Sequence, residues 1–212
     1  MSDHLYWMTL YIIIITCLVS ILAFNDAAIL QRLIFNPYTI QQRKEWYRFI
    51  SSGLIHADWP HLIINMFVLY SIGGIVEIYY RQVFAERAVV YFLLLYIGGL
   101  MTSILPTYAK HKDNPGYNAL GASGAVSAIV FAFILFDPLQ KLCLYGVICL
   151  PGIIFGVLYI AYCYYMDKRG GDRVNHDAHL WGAVYGFAFT IIVKPSLFLL
   201  FLDKLIYFRH NI

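Results

Sequence analysis

An all-α, polytopic membrane bundle forming a single domain over residues 1–212 is the fold the sequence predicts. The chain is 61% hydrophobic and 13% charged, whereas soluble domains are about half apolar and about a quarter charged. Six apolar runs recur along it, several near the ~20 residues that cross ~30 Å of hydrocarbon. Helix-breaking residues punctuate their ends. The net charge of +3 is scattered, with no basic stripe, so nucleic acid is not an expected partner.

The expected spans are 5–24, 59–80, 86–106, 121–136, 141–164 and 178–193. The first is long for a signal's apolar core. No lysine or arginine precedes it and no clean small-x-small site follows, so it reads as a retained helix ending at Asn25-Asp26. Trp59-Pro60 opens the second, where proline suits a first helical turn. Pro106 closes the third, Asp137-Pro138 the fourth and Lys194-Pro195 the sixth. Gly170-Gly171-Asp172 falls in the loop after the fifth.

The fourth span is too short for a bilayer, so its start is expected below the membrane surface, where irregular backbone survives only against protein or a watery cavity. Residues 25–58 hold Ile34, Phe35, Trp46, Tyr47, Phe49 and Ile50, and read as a structured interfacial loop. Residues 196–212 mix apolar clusters with Asp203, Lys204 and Arg209, as an interfacial helix or a short extension of the bundle does. Cys17, Cys143, Cys149 and Cys163 all lie in apolar runs. They have neither disulfide-framework nor zinc-ligand spacing, and read as small buried apolar residues.

Three segments carry polar residues where the chain is otherwise apolar. Gly121-Ala122-Ser123-Gly124 heads the short fourth span. A serine at a helix start is commonly a cap. Here the flanking glycines clear space around the hydroxyl, and a helix N-terminus offers free N–H groups to an oxyanion. Ser123 is therefore a candidate nucleophile, with its own backbone N–H a candidate oxyanion donor.

His179 opens the sixth span, with Gly182 and Gly186 following on the same helical face. Small residues there let another helix approach closely, and serine needs a base to become nucleophilic. His176 reads as a solvated loop residue beside Asp177, and no aspartate is placed to orient His179. A dyad of Ser123 and His179 is expected. His61 and Asn65, four residues apart on one face, are candidate oxyanion donors. His56 reads as a loop residue that holds the first loop. Glu77 and Arg81 read as a structural pair at a helix end.

These motifs together resemble the rhomboid family of intramembrane serine proteases, from about Trp46 to Gly186. Trp46-Tyr47-Arg48 is similar to the family's W-R signature with one residue inserted. His61 and Asn65 match H-x-x-x-N, Gly73, Gly74 and Glu77 match the glycine-glycine-acid ending, and Ser123 matches the G-x-S-G nucleophile. His179, Gly182 and Gly186 match A-H-x-x-G-x-x-x-G. The resemblance implies a six-helix bundle. It also implies cleavage of peptide bonds in or near substrate transmembrane segments, with Ser123 and His179 catalytic and His61, Asn65 and the Ser123 N–H at the oxyanion. Membrane-protein substrates and the bilayer are then the expected partners, with no cofactor and no metal, and a bacterial inner membrane is the default location.

Two positions depart from well-known members. Ser127 stands where an aromatic often stacks on the histidine, and Trp181 where a small residue is frequent. The resemblance also implies a cavity opening outward. More lysine and arginine would then lie outside than inside, against the usual tendency.

Overall fold

The computed structural model describes residues 7–144, 148–171 and 174–210. It is an all-α membrane bundle: twelve helices and one hairpin among the described residues. Helix α1 spans Trp7–Asn25. The first loop folds as α2 (Ala27–Leu33), α3 (Pro37–Arg43) and α4 (Arg48–Ser51). Helix α5 (Trp59–Val68) passes through a π-helical turn at Leu69–Gly73 into α6 (Gly74–Phe84). The chain turns at Ala85, whose φ is +47°, into α7 (Ala88–Ser103) and α8 (Leu105–His111). Then come α9 (Ser123–Phe136), strands β1 (Lys141–Leu144) and β2 (Ile148–Pro151), α10 (Gly152–Arg169), α11 (His176–Val193) and α12 (Ser196–His210). Trp7–Asn25 and the run Trp59–His111 are long and apolar enough to cross a bilayer, and α11 and α12 bend by 112° at their junction.

The core is built around α9. Its 14 residues rise only about 21 Å, so this helix does not reach across a bilayer alone. Every residue from Gly124 to Phe136 is buried, which explains a sequence that is apolar all round rather than striped. Small residues let its neighbours approach. On one side a Cβ at Gly99 of α7 would lie 3.1 Å from the Ala125 Cα. On the other, a Cβ at Gly182 of α11 would collide with the Gly124 carbonyl, and one at Gly186 with the Ala128 carbonyl.

The far end of α9 is closed by α12. Leu197 and Phe201 are buried, and Lys204 Nζ donates to the Phe136 carbonyl at 2.8 Å and lies 3.5 Å from the Asp137 carboxylate. A cation at a helix C-terminus satisfies a free carbonyl and the dipole at once. Glu77 does the converse for α1. Its carboxylate, 1% exposed, accepts from the Met8 and Thr9 N–H groups and the Thr9 hydroxyl, and pairs with Arg81 at 2.7 Å. The Glu77–Arg81 pair is structural as expected, with α1 as its purpose.

The first loop is folded, and its buried Arg48 is the hub. The guanidinium donates to the Gln31 and Ile34 carbonyls and to Glu45. The loop clamps residues 119–122, the chain that enters α9. Phe35 and Ala119 exchange both backbone hydrogen bonds, at 3.0 and 2.9 Å, and the Gly121 N–H donates to the Ser52 carbonyl at 2.9 Å. His56, 1% exposed, accepts from the Ala122 N–H at 3.4 Å through Nε2. Its Nδ1 meets the Ser20 hydroxyl at 3.0 Å, and that hydroxyl donates to the Leu54 carbonyl. Since Ser20 spends its proton on Leu54, Nδ1 must carry the ring hydrogen. His56 thus joins α1, the first loop and the α9 entrance.

Four expectations need correction. The fifth span, 141–164, does not begin as a helix: Lys141–Leu144 pairs with Ile148–Pro151 as an antiparallel hairpin, and the helix is Gly152–Arg169. Ile148 is the one β-branched residue in the two strands, and Pro151, the cap of the helix that starts at Gly152, marks the change. Cys143 and Cys149 are exposed partners in a disulfide rather than buried apolar residues. Cys163 is buried as expected and Cys17 is half-buried. Helix α11 begins at His176, which is 4% exposed and not a solvated loop residue. Residues 5 and 6 of the first span and Asp172 lie outside the described residues.

The clamp carries a pH prediction. Burial pushes the His56 imidazole down to about 3, while an unfolded histidine titrates near about 6.5. Below the unfolded value, the opened segment takes up a proton that the closed one refuses. Clamp stability is therefore complete above that value and is lost as pH falls toward the folded one. Amide exchange of residues 119–122, corrected for intrinsic rates, should show less protection at pH ~5 than at pH ~7. In His56→Gln the pH dependence should disappear. Identical profiles in the two proteins would remove His56 as the titrating group.

Candidate active site

Ser123 is the first residue of α9, and the cap position falls on Ala122. The side chain is thus not the helix cap, and it is half-buried while the rest of the helix is buried. Gly121 precedes it with a φ of +113°, a conformation that suits glycine. A Cβ there would stand 2.6 Å from the His61 ring. The absent side chain therefore seats His61 of α5 against the loop just before Ser123. On the other side of that loop, Gly124 faces the Ser103 hydroxyl of α7, which a Cβ would strike. Ser123 and Gly124 line a cavity of about 30 Å³ with Ser103, Gly121, Asn175 and Ala178. That is room for about one water molecule.

His179 lies in the first turn of α11, half-buried, one turn before Gly182. Asn175 fixes that turn. Its side chain accepts from the Ala178 N–H at 3.0 Å, and its amide donates to the Thr107 hydroxyl of α8 at 3.0 Å. Because Gly182 abuts the Gly124 carbonyl, the two helix starts bearing Ser123 and His179 sit side by side. The glycine face expected from the sequence is the face that meets α9. Trp181 points outward and is 45% exposed.

The position that Ser127 leaves without an aromatic is compensated from another helix. The Tyr159 ring of α10 lies nearly parallel to the His179 ring, with centroids 6.3 Å apart and planes 14° from parallel. The Tyr159 hydroxyl and the Ser127 hydroxyl are 2.6 Å apart. Ser127 thus anchors a tyrosine it cannot itself replace. Aromatic pairs at such separations are attractive when offset.

His61 and Asn65 share a face of α5. Asn65 is 5% exposed and donates to the His61 carbonyl one turn back at 2.9 Å, leaving its second amide hydrogen for another acceptor. Asp58 caps this helix by accepting from the His61 N–H at 2.8 Å. His61 and His56 meet edge to face, with centroids 4.9 Å apart.

The α9 and α11 starts that bear Ser123 and His179 adjoin, His61 of α5 reaches the turn before Ser123, and Tyr159 of α10 lies against His179, while Asn65 lies one turn beyond His61 on α5. A hydroxyl, an imidazole and convergent N–H donors are what acyl transfer requires. Tyr159 and Asn175 were not foreseen, while His56 holds the first loop as expected and also reaches the α9 entrance. Asn175 had a signal, since Asn three residues before Ala178 is a common cap pattern. Tyr159 had none, because its partner Ser127 lies far away in sequence.

The rhomboid domain model matches residues 43–196, which contain every candidate residue. The chain is 29% identical over 142 residues to RHOMBOID-like protein 12, mitochondrial, of Arabidopsis thaliana, covering 63% of this chain and 42% of that protein. It is 25% identical over 158 residues to Rhomboid-related protein 2 of Mus musculus, covering 71% and 49%. It is 28% identical over 148 residues to the putative rhomboid protease YdcA of Bacillus subtilis (strain 168), covering 70% and 67%. The chain spans about half the length of the first two of these relatives. Since the rhomboid domain model covers most of the chain, including both helix starts of the site, the protein belongs to the rhomboid family.

Proposed function

We propose that this chain is an intramembrane serine endopeptidase that cuts peptide bonds in or near transmembrane segments of other membrane proteins. The observation that carries the reading is the seating of Gly182 on the Gly124 carbonyl. It brings the helix start bearing His179 beside the one bearing Ser123. In the proposed chemistry the Ser123 Oγ attacks the scissile carbonyl and His179 takes its proton. His179 then delivers that proton to the leaving amine. Water hydrolyses the acyl-enzyme by the same route in reverse. His61, Asn65 and the Ser123 backbone N–H hold the oxyanion. Gly121 lets the His61 ring pack against the turn that leads into Ser123. Tyr159 is a positioning residue that fixes the plane of the imidazole.

A stable transmembrane helix hides its carbonyls in hydrogen bonds, and unwinding it in lipid exposes backbone groups at several kcal/mol each. Substrates weakened by Gly, Pro or polar residues near the cut are therefore favoured.

The test uses purified protein, a fluorophosphonate probe and a transmembrane substrate. Wild type should label covalently at Ser123. Ser123→Ala and His179→Ala should each cut at background rate while keeping the wild-type unfolding temperature to within a few degrees. Labelling at another serine, or substantial cleavage by either variant, overturns the dyad.

Tyr159 supports a graded prediction. Tyr159→Ala should lower kcat on the order of 100-fold, as a displaced catalytic group does, with KM nearly unchanged. Tyr159→Phe keeps the ring and should recover most of that loss. Equal losses in the two variants would show that the hydroxyl, not the ring, is what matters.

A further inference from the structure

Beside the proposed base lies a second constellation. His176 and His179 stand three residues apart in the first turn of α11 and share a face. Cys163 of α10 faces them. The ligand atoms of the three side chains all lie within 4.8 Å of one another. Cys163 and His176 are 0% and 4% exposed, and the two imidazoles meet edge to face. A thiol with two imidazoles is a donor set that suits zinc, with a fourth position left for water. Zinc bonds its ligands at about 2.0–2.3 Å, so tetrahedral ligand atoms stand roughly 3.5 Å apart. The side chains need to close by about 1 Å to meet that geometry.

A buried cysteine is commonly just a small apolar residue, and Cys163 does contact the Tyr159 hydroxyl. The surroundings add what packing does not require. A cavity of about 220 Å³ leads to His176, lined by the carboxylates of Asp167 and Asp177, with Lys110 and His111 on the same walls. Lys110 lies 3.8 Å from Asp167 and also faces Asp177, which Trp181 hydrogen-bonds, so two carboxylates stand against one lysine at the mouth and favour entry of a cation. A donor set with an entry path has the features expected of a metal site.

We propose that Zn²⁺ binds Cys163, His176 and His179 and reversibly switches the protease off. The imidazole lone pair that accepts the Ser123 proton is the one that coordination consumes. On binding, the Cys163 thiol loses its proton to water, both imidazoles bind neutral, and nothing is oxidised. The inhibitory step rests on His179 acting as the base; the site itself does not.

The experiment therefore reads the site and the inhibition separately. Ser123→Ala protein in micelles is titrated with Co²⁺ as a spectroscopic substitute. One ion per chain and a thiolate-to-cobalt charge-transfer band are expected. Adding Cys163→Ser should abolish the band, and adding His176→Gln should weaken binding by more than the roughly 10–100-fold that loss of an outer-shell partner costs. In cleavage assays, free Zn²⁺ should inhibit otherwise unmodified enzyme, and a chelator should restore it. Cys163→Ser, which keeps a hydrogen bond to Tyr159, and His176→Gln should cut at the wild-type rate in chelator and resist zinc. No thiolate band, or unchanged zinc sensitivity in both variants, overturns the proposal. If metal-free wild type cuts nothing, the protease reading fails while the cobalt titration still decides the site.

Discussion

Backbone contact between α9 and α11 is the constraint on which this molecule depends. Gly182 and Gly186 remove the side chains that would otherwise separate the helices, so carbonyls of α9 lie where Cβ atoms would be. In lipid, helices gain little from hydrophobic burial against each other and rely on such close packing. The contact also sets the chemistry. It holds Ser123 and His179 at adjacent helix starts, so stability and the geometry of the proposed dyad come from one set of residues.

A short central helix leaves its two ends to be satisfied by other parts of the chain. At the N-terminal end the first loop pins residues 119–122 through Phe35, Ser52 and His56. At the C-terminal end Lys204 supplies the cation. The structured loop thus braces the chain that enters α9 at Ser123, the proposed nucleophile, with buried Arg48 holding the brace together. Tyr159 and Ser127 show the same economy across α9 and α10: the ring and its anchor sit on different helices yet serve one imidazole.

Much of this was legible in the sequence because its signals are local. Apolar runs mark five of the six expected spans as helix from near their start. Gly182 and Gly186 announce a packing face by spacing alone, whereas the space expected beside Gly121 and Gly124 is filled by the His61 ring and the Ser103 hydroxyl. What escaped depends on pairs distant in sequence. In the run 141–164 short apolar stretches suit strand or helix alike, and only Pro151-Gly152 marked the break. Cys143 and Cys149 have no framework spacing, yet the hairpin register sets them opposite each other. Tyr159 is one tyrosine among many until Ser127 is seen against it. Cys163 has no metal-site spacing because His176 and His179, its partners in the proposed zinc site, lie on the next helix. His176 read as solvated because α11 was expected to start two residues later than it does.

The central claim is that the α9–α11 glycine contact sets the distance between Ser123 and His179. The measurement that tests it most directly is the rate of fluorophosphonate labelling of Ser123 in Gly182→Ala, beside a control change at exposed Val184 of the same helix. Added Cβ atoms at Gly182 must push the helices apart, so labelling should collapse in Gly182→Ala while the protein stays folded, and Val184→Ala should label like wild type. Wild-type labelling by Gly182→Ala would contradict the account, because the dyad would then not depend on that contact.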